Sequence, residues 1–103
     1  MYEKLNKNVT ELLKGVTDKT FVDVLNTESF KVACQKFNGS HAFRHLNMKH
    51  DEVLYVISGE IMVWTSEGEH YLKAGEILKI PKGIEHGDLE GKNVEILILE
   101  GKL

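Results

Sequence analysis

Residues 52–80, EVLYVISGEIMVWTSEGEHYLKAGEILKI, decide the fold. Short runs of β-branched, aromatic and aliphatic residues are broken at Ser58-Gly59, Glu67-Gly68 and Ala74-Gly75. That rhythm is the signature of antiparallel strands joined by tight turns. Outward from this stretch the pattern continues. TFVDVL and FKVACQKF precede it, VEILILE follows it, and Asn38-Gly39, Lys82-Gly83 and Glu90-Gly91 supply further breaks. Many short strands at nearly regular spacing indicate an all-β sandwich or barrel. Only the first segment reads as a helix, with Leu5, Val9, Leu12 and Leu13 on one stripe and Gly15 as a stop. The expected organisation is a helix and lead-in over residues 1–19, then one barrel domain over residues 20–103.

Alternation along a strand sends side chains to opposite faces. In EVLYVI, Leu54 and Val56 share a face with Glu52, while Val53, Tyr55 and Ile57 take the other. VEILIL near the C-terminus is also apolar on both faces. One face fills the barrel, and the other needs a cover: the helix, a second sheet or a second subunit. A homodimer is the expectation.

Composition narrows the function classes. The chain has 103 residues, 42% hydrophobic and 28% charged, with a net charge of -3. The pI is near 5.9 and Arg44 is the single arginine, so no nucleic-acid partner is expected. No apolar run approaches the roughly 20 residues of a membrane helix, so no membrane partner is expected either. The opening MYEKLNKNVTELLKG lacks the apolar stretch of a secretory signal. Cys34 is the sole cysteine, which excludes an internal disulfide and suits a reducing, cytoplasmic setting. It reads as a buried, inert thiol.

HLNMKHDE, residues 45–52, concentrates metal-ligand types before a strand. His45 and Asn47 lie two residues apart and point together. Glu52 shares the face of Leu54 and Val56, where a carboxylate is costly unless paired or metal-bound. His86 follows the Pro81-Lys82-Gly83 turn. Two imidazoles, an amide oxygen and a carboxylate converging in a barrel would suit a divalent transition metal.

These residues resemble the two motifs of the cupins. Gly39, His45, Asn47, Glu52 and Gly59 fall at the spacing of the first motif, Gly-x5-His-x-His-x4-Glu-x6-Gly. Gly75, Pro81, Gly83, His86 and Glu90 fall at the spacing of the second, Gly-x5-Pro-x-Gly-x2-His-x3-Asn. The resemblance implies a jelly-roll β-barrel, often dimeric. It also implies metal ligands at His45, Glu52 and His86, and an ion among Fe, Mn, Ni, Zn and Cu. Asn47 occupies the slot of the second histidine, and three arrangements follow. Asn47 is a weak ligand or holds a metal-bound water; or His50 bends in as a substitute ligand; or the metal is absent and the pocket holds a small molecule through hydrogen bonds.

Around these, His41 is a candidate for the rim, His50 and Asp51 for a solvated loop, and His70 for an exposed strand position. Phe43, Met62 and Trp64 belong to the core or line a pocket, and Tyr55 and Tyr71 are equally ambiguous. The resemblance implies oxygenase, isomerase, decarboxylase or lyase chemistry on a small polar molecule, and no residue selects among these. The rival is a metal-free binding or sensory module. A metal-free epimerase would need a buried histidine–aspartate pair, and no spacing in the sequence reveals one.

Overall fold

The computed structural model describes residues 8–41 and 44–102. Leu5 and Phe43 lie outside the described residues. The elements are a helix α1 (Val9–Lys14) and six strands: β1 (Val22–Asn26), β2 (Phe30–Ser40), β3 (Asp51–Thr65), β4 (Gly68–Lys73), β5 (Ile77–Ile80) and β6 (His86–Gly101). All pairings are antiparallel, in the order β1-β2-β6-β3-β4, with β5 on the other edge of the first half of β3. The architecture is the all-β jelly-roll barrel with a short N-terminal helix that the sequence predicts.

Two strands run longer than the sequence predicts. EVLYVIS and EIMVWTS form one strand, β3, and the Glu90-Gly91 break lies inside β6. The glycines that read as turns have other uses. Gly59 has φ of 76°, and the β3–β6 register shifts on either side of Ser58. A methyl group on Gly59 would run into the carbonyl oxygens of Lys92 and Asn93, and one on Gly91 would meet the Phe37 ring. These are bulge and packing glycines, which bend and twist a strand without ending it.

Cross-strand register sets the interior. Reading across β2, β6, β3 and β5, one inward row is Ala33, Ile98, Leu54 and Leu78. Gln35, Ile96 and Val56 follow one pair further in, and Phe37 and Val94 beyond them. Leu54, Val56, Ile61, Val63, Phe37, Val94 and Ile96 are buried together and form the core. The outer row carries Cys34, Leu97, Tyr55 and Ile77. The face assignment for Leu54 and Val56 against Val53, Tyr55 and Ile57 therefore holds.

Asn8 caps α1 by accepting from the Glu11 amide at 3.1 Å. The helix packs on β1 and β2 and buries Leu13 completely. Cys34 is also buried, and burial pushes its thiol pKa up, with Glu95 adding to the rise. Among the described residues no helix is long and apolar enough to cross a membrane.

Gly59→Ala should lower stability by more than about 1 kcal/mol, because it combines a strained φ with a backbone collision. Gly15→Ala, in open space at φ of −95°, should change it little. Paired thermal denaturation curves check both.

Candidate metal centre

The inward row at one end of the barrel is polar. It runs Lys31, Glu100, Glu52 and Ile80, one pair beyond the apolar row of Leu54. Glu52 sits at the start of β3 and His86 at the start of β6. His45 comes from the loop after β2, held against β6 by two backbone hydrogen bonds with His86 of 2.7 and 3.0 Å. A two-bond bridge fixes both α-carbons and brings the imidazoles together, with His86 buried and His45 more open to solvent. Their centroids lie 5.3 Å apart and the rings are nearly perpendicular.

Glu52 Oε2 lies 3.0 Å from His86 Nε2 and 3.4 Å from His45 Nε2. One ligand atom from each of the three residues falls within 4.8 Å of the others. His86 Nδ1 is 2.9 Å from the Ile84 carbonyl oxygen, which can only accept, so this nitrogen carries the proton. In the neutral ring, Nε2 then offers its lone pair toward Glu52. Glu52 is 7% exposed, and its Oε2 has no hydrogen-bond partner among the described residues. Although the ion-pair distance to His86 is short, the geometry is not that of a directional hydrogen bond. A buried carboxylate oxygen facing imidazole nitrogens is costly unless a positive charge, a metal ion or a proton on an imidazole, offsets it. A divalent metal fits that requirement, and a proton meets part of it. Burial pulls the His86 pKa down, but Glu52, the Ile84 carbonyl and the charge of Asp88 outweigh it and hold it above the ordinary histidine value.

Asn47 is buried beside this group but turned to another task. Its Oδ1 accepts from the backbone amides of Lys49 at 3.0 Å and His50 at 2.9 Å, while its own carbonyl accepts from Gly83 at 2.8 Å. Both lone pairs of the amide oxygen are engaged in an Asx-type turn. His50 is not gathered with the triad. Its Nδ1 faces Glu100 Oε1 at 3.5 Å. Of the four donors expected, the structure gathers His45, Glu52 and His86 and ties Asn47 into the loop that carries them.

A pocket of about 160 Å³ opens beside the triad. Ala33, Leu54, Ile80 and Ile98 form its apolar walls, Phe21 and Lys31 stand at one side, and Asp88 and Glu100 add carboxylates. Its volume is close to the roughly 150 Å³ that accommodates a benzene-sized molecule.

Asp88 is one of the residues that sequence reasoning missed. It is 7% exposed, and its Oδ2 lies 3.5 Å from His41 Nδ1. A histidine–aspartate pair therefore exists that no spacing in the sequence revealed. Its members are far apart in the chain and meet only through the backbone bond from His41 to Leu89 of β6. Burial raises the Asp88 pKa, and His41 and His86 only partly offset this. Glu100 was also missed; only the β3–β6 register places it opposite Glu52. His70 is exposed as expected. Trp64 is half-buried under the Arg44 guanidinium, 4.8 Å from its ring centre, away from the pocket.

The sequence model of the cupin domain matches residues 37–88, half of the chain. The chain belongs to the cupin family, as its two motifs imply. A 56-residue stretch is 43% identical to part of the protein named "Putative dioxygenase SSO1533" from Saccharolobus solfataricus. The match takes in 54% of this chain and only 15% of that relative's length. Among solved structures, the protein TT1209 from Thermus thermophilus superposes with a TM-score of 0.84 at 19% identity, over 96% of this chain and 98% of that one. A cupin-2 domain protein from Shewanella frigidimarina gives 0.79 at 22% identity, over 94% and 95%. At these identities the structural likeness shows a shared fold.

Asn47→Ala should cost about 1–2 kcal/mol, since two backbone amides near a buried group lose their acceptor. Asn47→Asp, which keeps an acceptor oxygen, should retain most of that stability. Chemical denaturation of the three proteins measures the difference.

Proposed function

We propose that the chain binds a divalent transition metal through His45, Glu52 and His86 and acts on a small polar molecule held in the adjoining pocket. The observation that carries this reading is the buried Glu52 oxygen, without a hydrogen-bond partner among the described residues, between two imidazole nitrogens. Two histidines and one carboxylate with open positions form the donor set of non-haem iron oxygenases, and the name of the Saccharolobus relative supports oxygen chemistry. Such an ion, when bound, polarises a carbonyl or hydroxyl or activates oxygen.

The chain's residues supply the setting. Ile84 orients the His86 ring through its carbonyl, as backbone partners of metal-ligating histidines do. The Asn47 turn holds the loop between His45 and Glu52. Leu54, Ile80 and Ile98 exclude water from one side of the ligand, while Asp88, backed by His41, adds a polar side chain to the lining. A second reading, a metal-free binding module, draws support from the engagement of Asn47 in its loop, which leaves three donors and not four.

Elemental analysis and competitive titration of freshly purified protein decide between them. About one metal per chain is expected. His86→Ala should reduce affinity by more than the roughly 10–100-fold that loss of a supporting residue costs. Occupancy should fall on acidification through about pH 6, because imidazole must be neutral to ligate and protons compete for Nε2. Metal-free protein that takes up none of Fe, Mn, Ni, Zn or Cu would leave the binding-module reading.

The chain is also proposed to form a homodimer through the outer face of β3 and β6. Tyr55, Leu97 and Leu99 are only half-buried there, Ile77 is 62% exposed, and α1 packs on β1 and β2 instead. Light scattering should return twice the chain mass of 11.7 kDa. Monomer mass at high micromolar concentration would count against it.

A further inference from the structure

Glu52 and Glu100 are direct cross-strand partners on the same inward face of an antiparallel pair. Like charges placed so are destabilising, and stability alone would select against them. The neighbour on the other side does not resolve the conflict. Lys31 is the cross-strand partner of Glu100, but its Nζ lies 3.6 Å from Asp23 at the sheet edge. His50 faces Glu100 at 3.5 Å, longer than a good hydrogen bond, and both side chains remain about a quarter exposed. The histidines and a metal account for Glu52. His50 and Lys31 offset Glu100 only in part, and its side chain, still about a quarter exposed, lines the pocket.

We infer that the molecule bound in this pocket presents a hydrogen-bond-donating end, an ammonium or a group of hydroxyls, to Glu100, and that Glu100 selects it against carboxylates and phosphates of similar size. The inference rests on the reading of this cavity as the ligand site, and it deepens that reading by giving the ligand a charge class. Three features agree on the class. The pocket holds carboxylates from Glu52, Asp88 and Glu100 against one ammonium, Lys31. Its floor of Ala33, Leu54 and Ile98 suits an apolar body about the size of a six-membered ring. Low-dielectric walls strengthen the preference, because a charge beside Glu100 is less screened there than in open water. A ligand with an anionic distal end would add a third negative charge to the Glu52–Glu100 row. One with a donor end would relieve the repulsion already present. Glu100 touches the ligand, with His50 beside it at 3.5 Å.

The test uses three ring-sized probes that share a phenyl ring and differ in the charge and hydrogen-bonding of the polar end: benzylammonium, benzyl alcohol and benzoate. Each is titrated into the full chain by ligand-observed NMR, once with EDTA and once after zinc loading. In EDTA, benzylammonium should bind at least about tenfold more tightly than benzoate, with benzyl alcohol between them. Glu100→Gln should collapse that ratio to within about threefold. Lys31→Gln, which removes the opposing charge, should widen it. Glu100→Gln should also be at least as stable as the wild type without metal, because it removes a repulsion. A purely structural Glu100 would instead make the variant less stable and leave the probe ratio unmoved, which overturns the inference. Benzoate binding as tightly as benzylammonium in EDTA overturns it as well, as does failure of all three probes to bind at millimolar concentration. Zinc uptake is read separately by elemental analysis. Absence of zinc would defeat the metal reading while the EDTA ratios still decide the role of Glu100.

Discussion

The pairing of β3 with β6 governs the rest of the molecule. These two long strands run antiparallel from Asp51 opposite Gly101 to Thr65 opposite His86, with three register shifts along the way. The pairing decides which side chains face inward, because a slip of one residue would exchange the two faces. The same register that buries Leu54 against Ile98 and Val56 against Ile96 also sets Glu52 against Glu100 one row further out. Core and site are thus consecutive rows of one ladder. The chain cannot keep one in place while moving the other.

That arrangement explains how the polar row is tolerated. Glu52 is nearly as buried as the leucine below it, but it lies at the mouth end of the ladder, where His45 and His86 close over it. The backbone bridge between the histidines belongs to the sheet-like hydrogen bonding of the barrel wall, so ligand geometry is held by main chain and not by mobile side chains alone. Asn47 extends the principle to the loop, where its side chain replaces backbone partners that the turn cannot supply. Donors carried on such a frame are pre-positioned, which lowers the ordering cost of binding.

Much of this was legible in the sequence because it depends on local periodicity. The alternation in EVLYVI placed Leu54, Val56 and Glu52 on the inner face, and motif spacing picked out His45, Glu52 and His86. What the sequence hid depends on non-local register. The pairings of Glu100 with Glu52 and of His41 with Asp88 join residues whose separation follows from strand offsets that no local pattern encodes. The role of Asn47 was hidden for a related reason: its spacing from His45 resembles that of a ligand, and only the folded loop shows its amide oxygen accepting from the backbone amides of Lys49 and His50. Gly59 and Gly91 read as turns because glycine breaks patterns in either case, and only the close approach of Asn93 and Phe37 shows why they are needed.

The three candidate ligands sit where strands begin: His45 on the bridge leading into β3, Glu52 at the head of β3, and His86 at the head of β6. His45 and Glu52 are close in sequence, but His86 joins them only after β6 has met β3, so the full donor set does not exist in a partly assembled chain. Barrels dominated by such non-local pairings fold slowly, since loop-closure entropy is lost before contacts compensate it. An ion held by these three residues would join the heads of β3 and β6. Its main kinetic effect would be to slow unfolding from that end, while the rate of folding stays set by the pairing of β3 and β6.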